Sequence, residues 1–237
     1  MIELIQQYWQ QYLWGTPGHF SGLTVTLWLT AVSVALGFLL AIPLSIGRVS
    51  RNRWVSIPIW LYTYIFRGTP LYVQLLLCYT GIYGLDIVQT TPFVNCFFKD
   101  AFNCTILAFA LNTAAYTTEI FAGAIKATPH GEIEAGRAFG MSTFTIYRYV
   151  ILPSALRRAL PAYSNEVILM LHATTLASTA TVPDILKVAR NAFADYYLPF
   201  VAYGIAALLY LCISFFLIFL FRKAEQRWLA YLKPTPP

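Results

Sequence analysis

No charged side chain occurs between Phe20 and Gly47. The hydrocarbon core of a bilayer is crossed by a helix of about 20 apolar residues. With no water to serve the backbone there, each N–H and C=O must be paired within the protein, which leaves only helices and closed barrels. The stretch shows no strand-like alternation, so residues 20–47 are expected to form a first spanning helix. Four more apolar segments follow at about 55–85, 101–126, 159–182 and 198–221. Of the whole chain 58% is hydrophobic and only 11% charged, a balance outside the range of soluble domains. The expected fold class is all-α, a polytopic membrane protein with five transmembrane helices in one domain over 20–221. An interfacial segment 1–19 precedes it and a tail 222–237 follows it.

The net charge of +6 would suggest nucleic acid in a soluble protein. In a membrane chain it is read by location, because Lys and Arg accumulate in cytoplasmic loops. Arg48, Arg51, Arg53, Lys126, Arg137, Arg148, Arg157, Arg158, Arg222, Lys223, Arg227 and Lys233 fall on one side of the five segments. Lys99, Lys187 and Arg190 fall on the other, and Arg67 lies within a span. This places the N-terminus outside, the C-terminus in the cytoplasm, and loops at 86–100 and 183–197 on the outer face. No nucleic-acid partner is expected, and the lipid bilayer is.

The first residues, MIELIQQYWQQYLWG, lack the basic start of a signal peptide. Ile2, Ile5, Trp9, Tyr12 and Leu13 recur at helical spacing, which predicts a short helix in the headgroup region; a frayed tail is the alternative. Cys78, Cys96, Cys104 and Cys212 show no metal-ligand spacing. Cys96 and Cys104 flank one outer loop and are open to pairing, but free thiols are favoured because Cys104 falls at a helix start.

The longest inner loop, 127–158, carries GEIEAGRAFGMSTFTIYRYVILP. Glu132 to Phe139 is predicted to be a short helix with acidic residues in its first turn, where the macrodipole favours them. Gly140 is placed to close it in a left-handed conformation. Ser142 can cap a second helix over 143–152, which Pro153 should break or bend. Small residues Ala135, Gly136 and Ala138 suit contact with another protein. A lipid-binding helix would instead want basic residues flanking a bulky apolar face. An amphipathic linker on the membrane surface is the competing reading.

That stretch resembles the EAA loop of ABC importer permeases, with Glu134, Ala135 and Gly136 at its start, Gly140 at the fixed glycine, and Val150, Leu152 and Pro153 at its end. Gly136 and Val150 depart mildly from the usual Ala and Ile. YIFRGTPLYVQLLLCYTG, AYTTEIFAGAI and ALPAYSNEVILMLHATTLASTATVPDIL extend the resemblance to the polar amino-acid permease family, its histidine/lysine/arginine/ornithine (M-type) branch. The resemblance implies contact between an ATPase subunit and Gly131, Glu132, Glu134, Ala135, Gly136, Arg137, Ala138, Phe139, Gly140 and Met141. It also implies a homologous second permease subunit, an ATPase dimer and a periplasmic amino-acid-binding protein. No cofactor is implied on this chain, ATP and Mg belonging to the ATPase, and the location is the bacterial inner membrane. The cargo implied is a basic amino acid: histidine, arginine, lysine or ornithine.

Charged groups inside a bilayer are costly and are functional candidates by default. Asn112, Tyr116 and Glu119 share one helical face. Counting from the inner helix ends at about 1.5 Å per residue places Glu119 and Glu166 at similar depth. They are candidates to line one polar path with Tyr116, Asn165 and His172. Arg67, Thr69 and Gln74 join them at the RGTP break, where proline and glycine interrupt the second segment. The alternative is structural: Glu119 and Glu166 pair with Arg67 or other polar groups, and the break packs on the second permease. The resemblance implies lysine in many family members where this chain has His172, a difference that would suit a cationic cargo; a histidine satisfied within the bundle is the favoured reading.

The sequence has no GxxxxGK[ST], HExxH or GxSxG, so the phosphate cradle and hydrolase motifs are missing and no enzyme activity is expected of this chain. An ion-coupled carrier or channel would also use intramembrane carboxylates, but has no need of the EAA-like loop.

Overall fold

The computed structural model describes residues 2–15 and 20–229; Lys233 and the rest of the tail beyond 229 lie outside them. In chain order the helices are α1 (Ile2–Leu13), α2 (Gly22–Arg48), α3 (Arg53–Gly68), α4 (Leu71–Leu76), α5 (Asp86–Thr90), α6 (Pro92–Lys99), α7 (Ala101–Lys126), α8 (His130–Ala138), α9 (Thr143–Ile146), α10 (Leu152–Ala173), α11 (Ile185–Tyr196) and α12 (Pro199–Trp228). A wider π-helical stretch, Leu77–Ile82, continues α4, and another, Tyr147–Ile151, joins α9 to α10. A 3₁₀ stretch, Thr174–Ala180, continues α10. Among the described residues α2 and α12 are each long and apolar enough to cross a bilayer, with mean hydropathies of 2.3 and 2.6. Helices α6 and α7 reach that threshold only as a pair bent by 84°.

Several sequence expectations change. Residues 86–100 are not an open loop but the short helices α5 and α6, and most of 183–197 is α11. The second segment starts at Arg53, where Asn52 caps α3 by accepting a 3.0 Å bond from Trp54 N. Pro153 does not break its helix. The chain stays helical from Thr143 to Ala173, because the π stretch just before the proline loosens the turn that its ring would otherwise crowd.

Helix α7 is the centre. Its buried residues lie all round the helix, among them Cys104, Thr105, Phe109, Asn112, Thr113, Thr117 and Phe121. It packs against α2, α3, α4 and α10. This burial explains why α7 carries so many hydroxyls and an amide: its neighbours, not lipid, surround it. Two buried residues of this helix, Thr117 and Thr118, still have hydroxyls without a partner.

The α2–α7 contact is close because Gly37 has no side chain. A methyl group there would collide with the Thr113 side chain and lie 3.2 Å from Ala114 N and 3.3 Å from Ala110 O.

Helix α1 lies on α11 and α2. It buries Leu4, Tyr8 and Tyr12 with residues of α11 and α12, while Ile2, Ile5, Trp9 and Leu13 stay exposed. Of the five residues in the predicted stripe, Tyr12 differs: it turns inward and donates a 3.0 Å bond to Ala202 O. Tyr8 donates to Asp195 and Tyr196 to Gln7. Asp184 caps α11 by accepting from Lys187 N at 2.8 Å, and Ile185 N donates to Thr26 Oγ1 at 3.2 Å. Asp184 is fully buried, and that burial pushes its carboxyl up to about 6. All four cysteines are free, Cys96 exposed and Cys104 buried.

Gly37→Ala should therefore force α2 and α7 apart and cost about 1–3 kcal/mol, the usual penalty of overpacking. Thermal unfolding of the purified assembly reads it. Gly123→Ala, with open space around the added methyl, should not lower the melting temperature, since alanine is the better helix former.

Candidate functional site

The RGTP break sets the first polar cluster. In an unbroken helix the Phe66 carbonyl would accept from the N–H of residue 70, but Pro70 has none. Two side chains replace it. Gln74 Nε2 donates to Phe66 O at 2.8 Å and Asn112 Nδ2 donates to the same oxygen at 3.1 Å. Asn112 Nδ2 also donates to Gln74 Oε1 at 3.0 Å. Gln74 Nε2 further reaches Thr69 Oγ1 at 2.8 Å and Thr69 O at 3.1 Å.

One turn further along α7, Tyr116 OH donates to Arg67 O at 3.3 Å, and the Arg67 guanidinium lies 5.2 Å from the centre of the Tyr116 ring. The expected face Asn112–Tyr116–Glu119 thus runs along α3. Arg67, Thr69, Gln74 and Tyr116 are brought together there.

Glu119 completes that face but is already partnered. Arg48 Nε donates to Glu119 Oε1 at 2.7 Å, and Thr63 Oγ1 donates to the same oxygen at 2.7 Å. The sequence placed Arg48 in a loop and missed this pair. The signal was present, since α2 ends and α7 ends on the same side of the bundle.

Glu166 sits elsewhere. It is 7% exposed, and Thr113 Oγ1 donates to its Oε1 at 3.0 Å. Thr113 and Glu119 are six residues apart on α7, so the two carboxylates differ in depth by about 9 Å. The expectation of equal depth fails because α10 starts earlier than the apolar run suggested.

Asn165 and His172 occupy an exposed face of α10 with Leu169. His172 Nε2 shares a 3.0 Å hydrogen bond with Ser214 of α12. No hydrogen bond among the described residues joins Asn165 or His172 to the Arg67 cluster.

The second candidate region is α8. Its end is a Schellman closure: Gly140 N donates to Arg137 O at 2.9 Å and Met141 N donates to Gly136 O at 3.1 Å. Gly140 sits at φ +73°, a conformation open to glycine at little cost. Ser142 then caps α9, accepting from Thr145 N at 3.2 Å. The inner face of α8 packs on the bundle at Gly136. Gly136 is buried, and a methyl there would lie 3.2 Å from Ile146 Cγ1. Met141 and Ile133 are half-buried beside Ile125, Ile146 and Ile151. The other face is open: Gly131, Glu134, Ala135, Arg137, Ala138 and Gly140 are exposed, and Phe139 is 87% exposed.

Glu132 belongs to the inner side. Ser154 Oγ donates to Glu132 Oε2 at 3.1 Å, and Arg158 Nη1 lies 4.0 Å from Glu132 Oε1. Arg158 also donates to Ser154 Oγ at 2.7 Å and to Thr128 Oγ1 at 2.8 Å. One guanidinium therefore ties the α7–α8 connection, α8 and α10 together. Sequence reasoning saw Arg158 only as one of several loop cations.

Residues 33–229 match the family described as "Binding-protein-dependent transport system inner membrane component". The chain is 63% identical to the histidine/lysine/arginine/ornithine transport system permease protein HisM of Escherichia coli (strain K12), over 99% of both chains. It is 62% identical to the HisM of Salmonella typhimurium (strain LT2), over 98% of this chain and 99% of the relative. The octopine transport system permease protein OccM of Rhizobium radiobacter is 41% identical, over 90% of this chain and 87% of the relative. Among solved structures, an amino acid ABC transporter crystallised with histidines shares 31% identity and a TM-score of 0.79, over 94% of this chain and 96% of that one. An inward-facing MetNI methionine ABC transporter, at 18% identity and TM-score 0.74 over 96% and 99% of the two chains, shares the fold. The chain belongs to the binding-protein-dependent transport-system inner-membrane components and is a permease subunit of an ABC importer, resident in the inner membrane.

Proposed function

We propose that this chain carries basic amino acids, namely histidine, arginine, lysine and ornithine, across the inner membrane as one of two homologous permease subunits. A periplasmic binding protein delivers the cargo. A separate ATPase dimer holds ATP and Mg and supplies the force. The observation that carries this reading is α8: a short helix closed by a left-handed glycine, locked to the bundle on one side and open on the other. Its open face, with Glu134, Ala135, Ala138 and Phe139, is the ATPase contact. Gly131, Arg137 and Gly140 border it, while Glu132, Gly136 and Met141 support it from behind. The substrate class is inferred from the relatives, one of which bears these four amino acids in its name.

In this reading five spans cross the bilayer. They are α2; α3 with α4 and the π stretch; α7; α10 with its 3₁₀ extension; and α12. The basic residues put α8 and the C-terminus in the cytoplasm and α1 outside.

Glu166 is the carboxylate that serves the path. Glu119 already has a cationic partner within the chain, whereas Glu166 has one hydroxyl donor and unused acceptor capacity on its oxygens. Arg158 passes displacement of α8 to α10, the helix on which Glu166 sits.

Phe139→Asp and Glu134→Lys should lower recovery of the ATPase with the permease at least about tenfold, since exposed aromatic anchors dominate such contacts. Undiminished recovery and uptake would remove α8 from the docking role. Arg158→Gln should keep the ATPase bound and hydrolysing while uptake per ATP falls, with Arg158→Lys intermediate. Equal loss of hydrolysis and uptake would make Arg158 a fold residue only. Glu166→Gln should reduce arginine or lysine uptake by roughly tenfold, about 1.4 kcal/mol, and a neutral amino acid by less. Equal reduction for both would make Glu166 structural.

A further inference from the structure

Between α2, α7, α10 and α12 lies a cleft of about 550 Å³ that the transport reading does not use. Its wall is aromatic, with Phe38, Phe121, Tyr163 and Phe221 lining it. The rings brace one another: Phe38 stands edge-on to Phe121 at 5.5 Å, and Tyr163 stands edge-on to Phe221 at 6.4 Å. The wall has no carboxylate, and Arg157 is its only charged member. Trp228, the last residue of α12, also lines it.

Arg157 is exposed and forms no ion pair among the described residues. Its neighbour Arg158, by contrast, is committed to Thr128 and Ser154. Arg222, Lys223 and Arg227 add positive charge on the last turns of α12. The acid among them, Glu225, accepts a 3.4 Å bond from Ser164.

The cleft opens on a different face of α10 from Asn165 and His172, and Glu166, three residues beyond Tyr163, is not among its lining residues. Pro153, Leu156, Leu160 and Tyr163 line it from one face of α10. Asn165, Leu169 and His172 lie more than about 100° round the same helix. A basic amino acid would find no acceptor among the lining side chains' charges and would meet Arg157 as a repellent.

We propose that this cleft is a binding site for one anionic phospholipid, its phosphate on Arg157 and one acyl chain along the Phe38–Phe121–Tyr163–Phe221 wall. Three features select that occupant. A half-open cleft with a mainly apolar wall offers an acyl chain a surface to lie along. A free guanidinium at its mouth matches phosphate oxygens in a paired geometry. A tryptophan beside it is the residue type that settles at headgroup level. Basic pockets between spanning helices are the usual seats of anionic headgroups. The site does not depend on which way the chain crosses, because its basic mouth meets headgroups in either orientation.

The experiment uses the intact importer in nanodiscs of phosphatidylglycerol or of phosphatidylcholine, followed by detergent extraction and native mass spectrometry. Wild type should retain one phosphatidylglycerol per copy of this chain and no phosphatidylcholine. Arg157→Gln should weaken retention at least about tenfold, and Arg157→Lys should keep most of it. Leu156→Trp, which fills the cleft and spares the charge, should also lose the lipid. Inorganic phosphate alone should not raise the melting temperature of the wild type, whereas phosphatidylglycerol should raise it more than it raises that of Arg157→Gln. Equal retention of the two lipids, full retention by both Arg157→Gln and Leu156→Trp, protection by phosphate alone, or a cleft filled by the second permease with no lipid retained would each overturn the proposal.

Discussion

A backbone carbonyl shielded from water needs a donor within the protein, and the Phe66 carbonyl has lost its own. Pro70 removes the donor that a regular helix would supply. Gln74 and Asn112 restore it from two different helices. Asn112 can do so only if α7 runs directly beside the break, and an amide on α7 is tolerable only if other helices shield it. The central place of α7 follows. So does its polar content, which would be costly on a lipid-facing helix. Gly37 is part of the same solution, because it lets α2 approach closely enough to close one side of α7.

The carboxylates obey the same rule with different outcomes. Glu119 is met by a guanidinium and a hydroxyl on the same oxygen. Glu166 is met by a single hydroxyl from Thr113. A buried carboxylate with one donor is expensive to keep. The difference between these two residues, identical in type and both inside helices, comes wholly from what their neighbouring helices present.

What could be read from the sequence follows a physical boundary. The apolar runs were legible because lipid imposes length and pairing on each segment by itself. The α8 turn was legible for the same kind of reason: Gly140 and Ser142 act on backbone groups within a few residues of themselves. Contacts between distant segments were not. Leu4, Tyr8 and Tyr12 face inward because α11 and α12 lie there, and helical spacing alone cannot choose between that stripe and the Ile2–Trp9 stripe. Arg48 looked like a loop cation because its partner is 71 residues away. Pro153 looked like a break because the π stretch that absorbs it has no local signature in TIYRYVILP. The depth of Glu166 was misjudged for the same reason, since a helix that begins at the first apolar residue is shorter than one that begins at Thr143.

The continuity of that helix matters for how force could travel. Had Pro153 divided the segment, α8 and α9 would form a pendant unit able to tilt without moving α10. Instead the backbone is helical from Thr143 through Ala173, and Ile146, the last residue of α9, packs on Gly136 in α8. Arg158 closes a second connection from α10 back to Thr128, with Ser154 linking on to Glu132. Two independent links between α8 and α10 resist rotation as well as translation, because either link alone would leave a hinge. A push on the exposed Phe139 face is then shared with α10 and, through Thr113 and Glu166, with α7. The mildness of the Gly136 departure from the EAA pattern also acquires a reason. With Ile146 pressed against it, the smaller residue keeps the first of those two links tight.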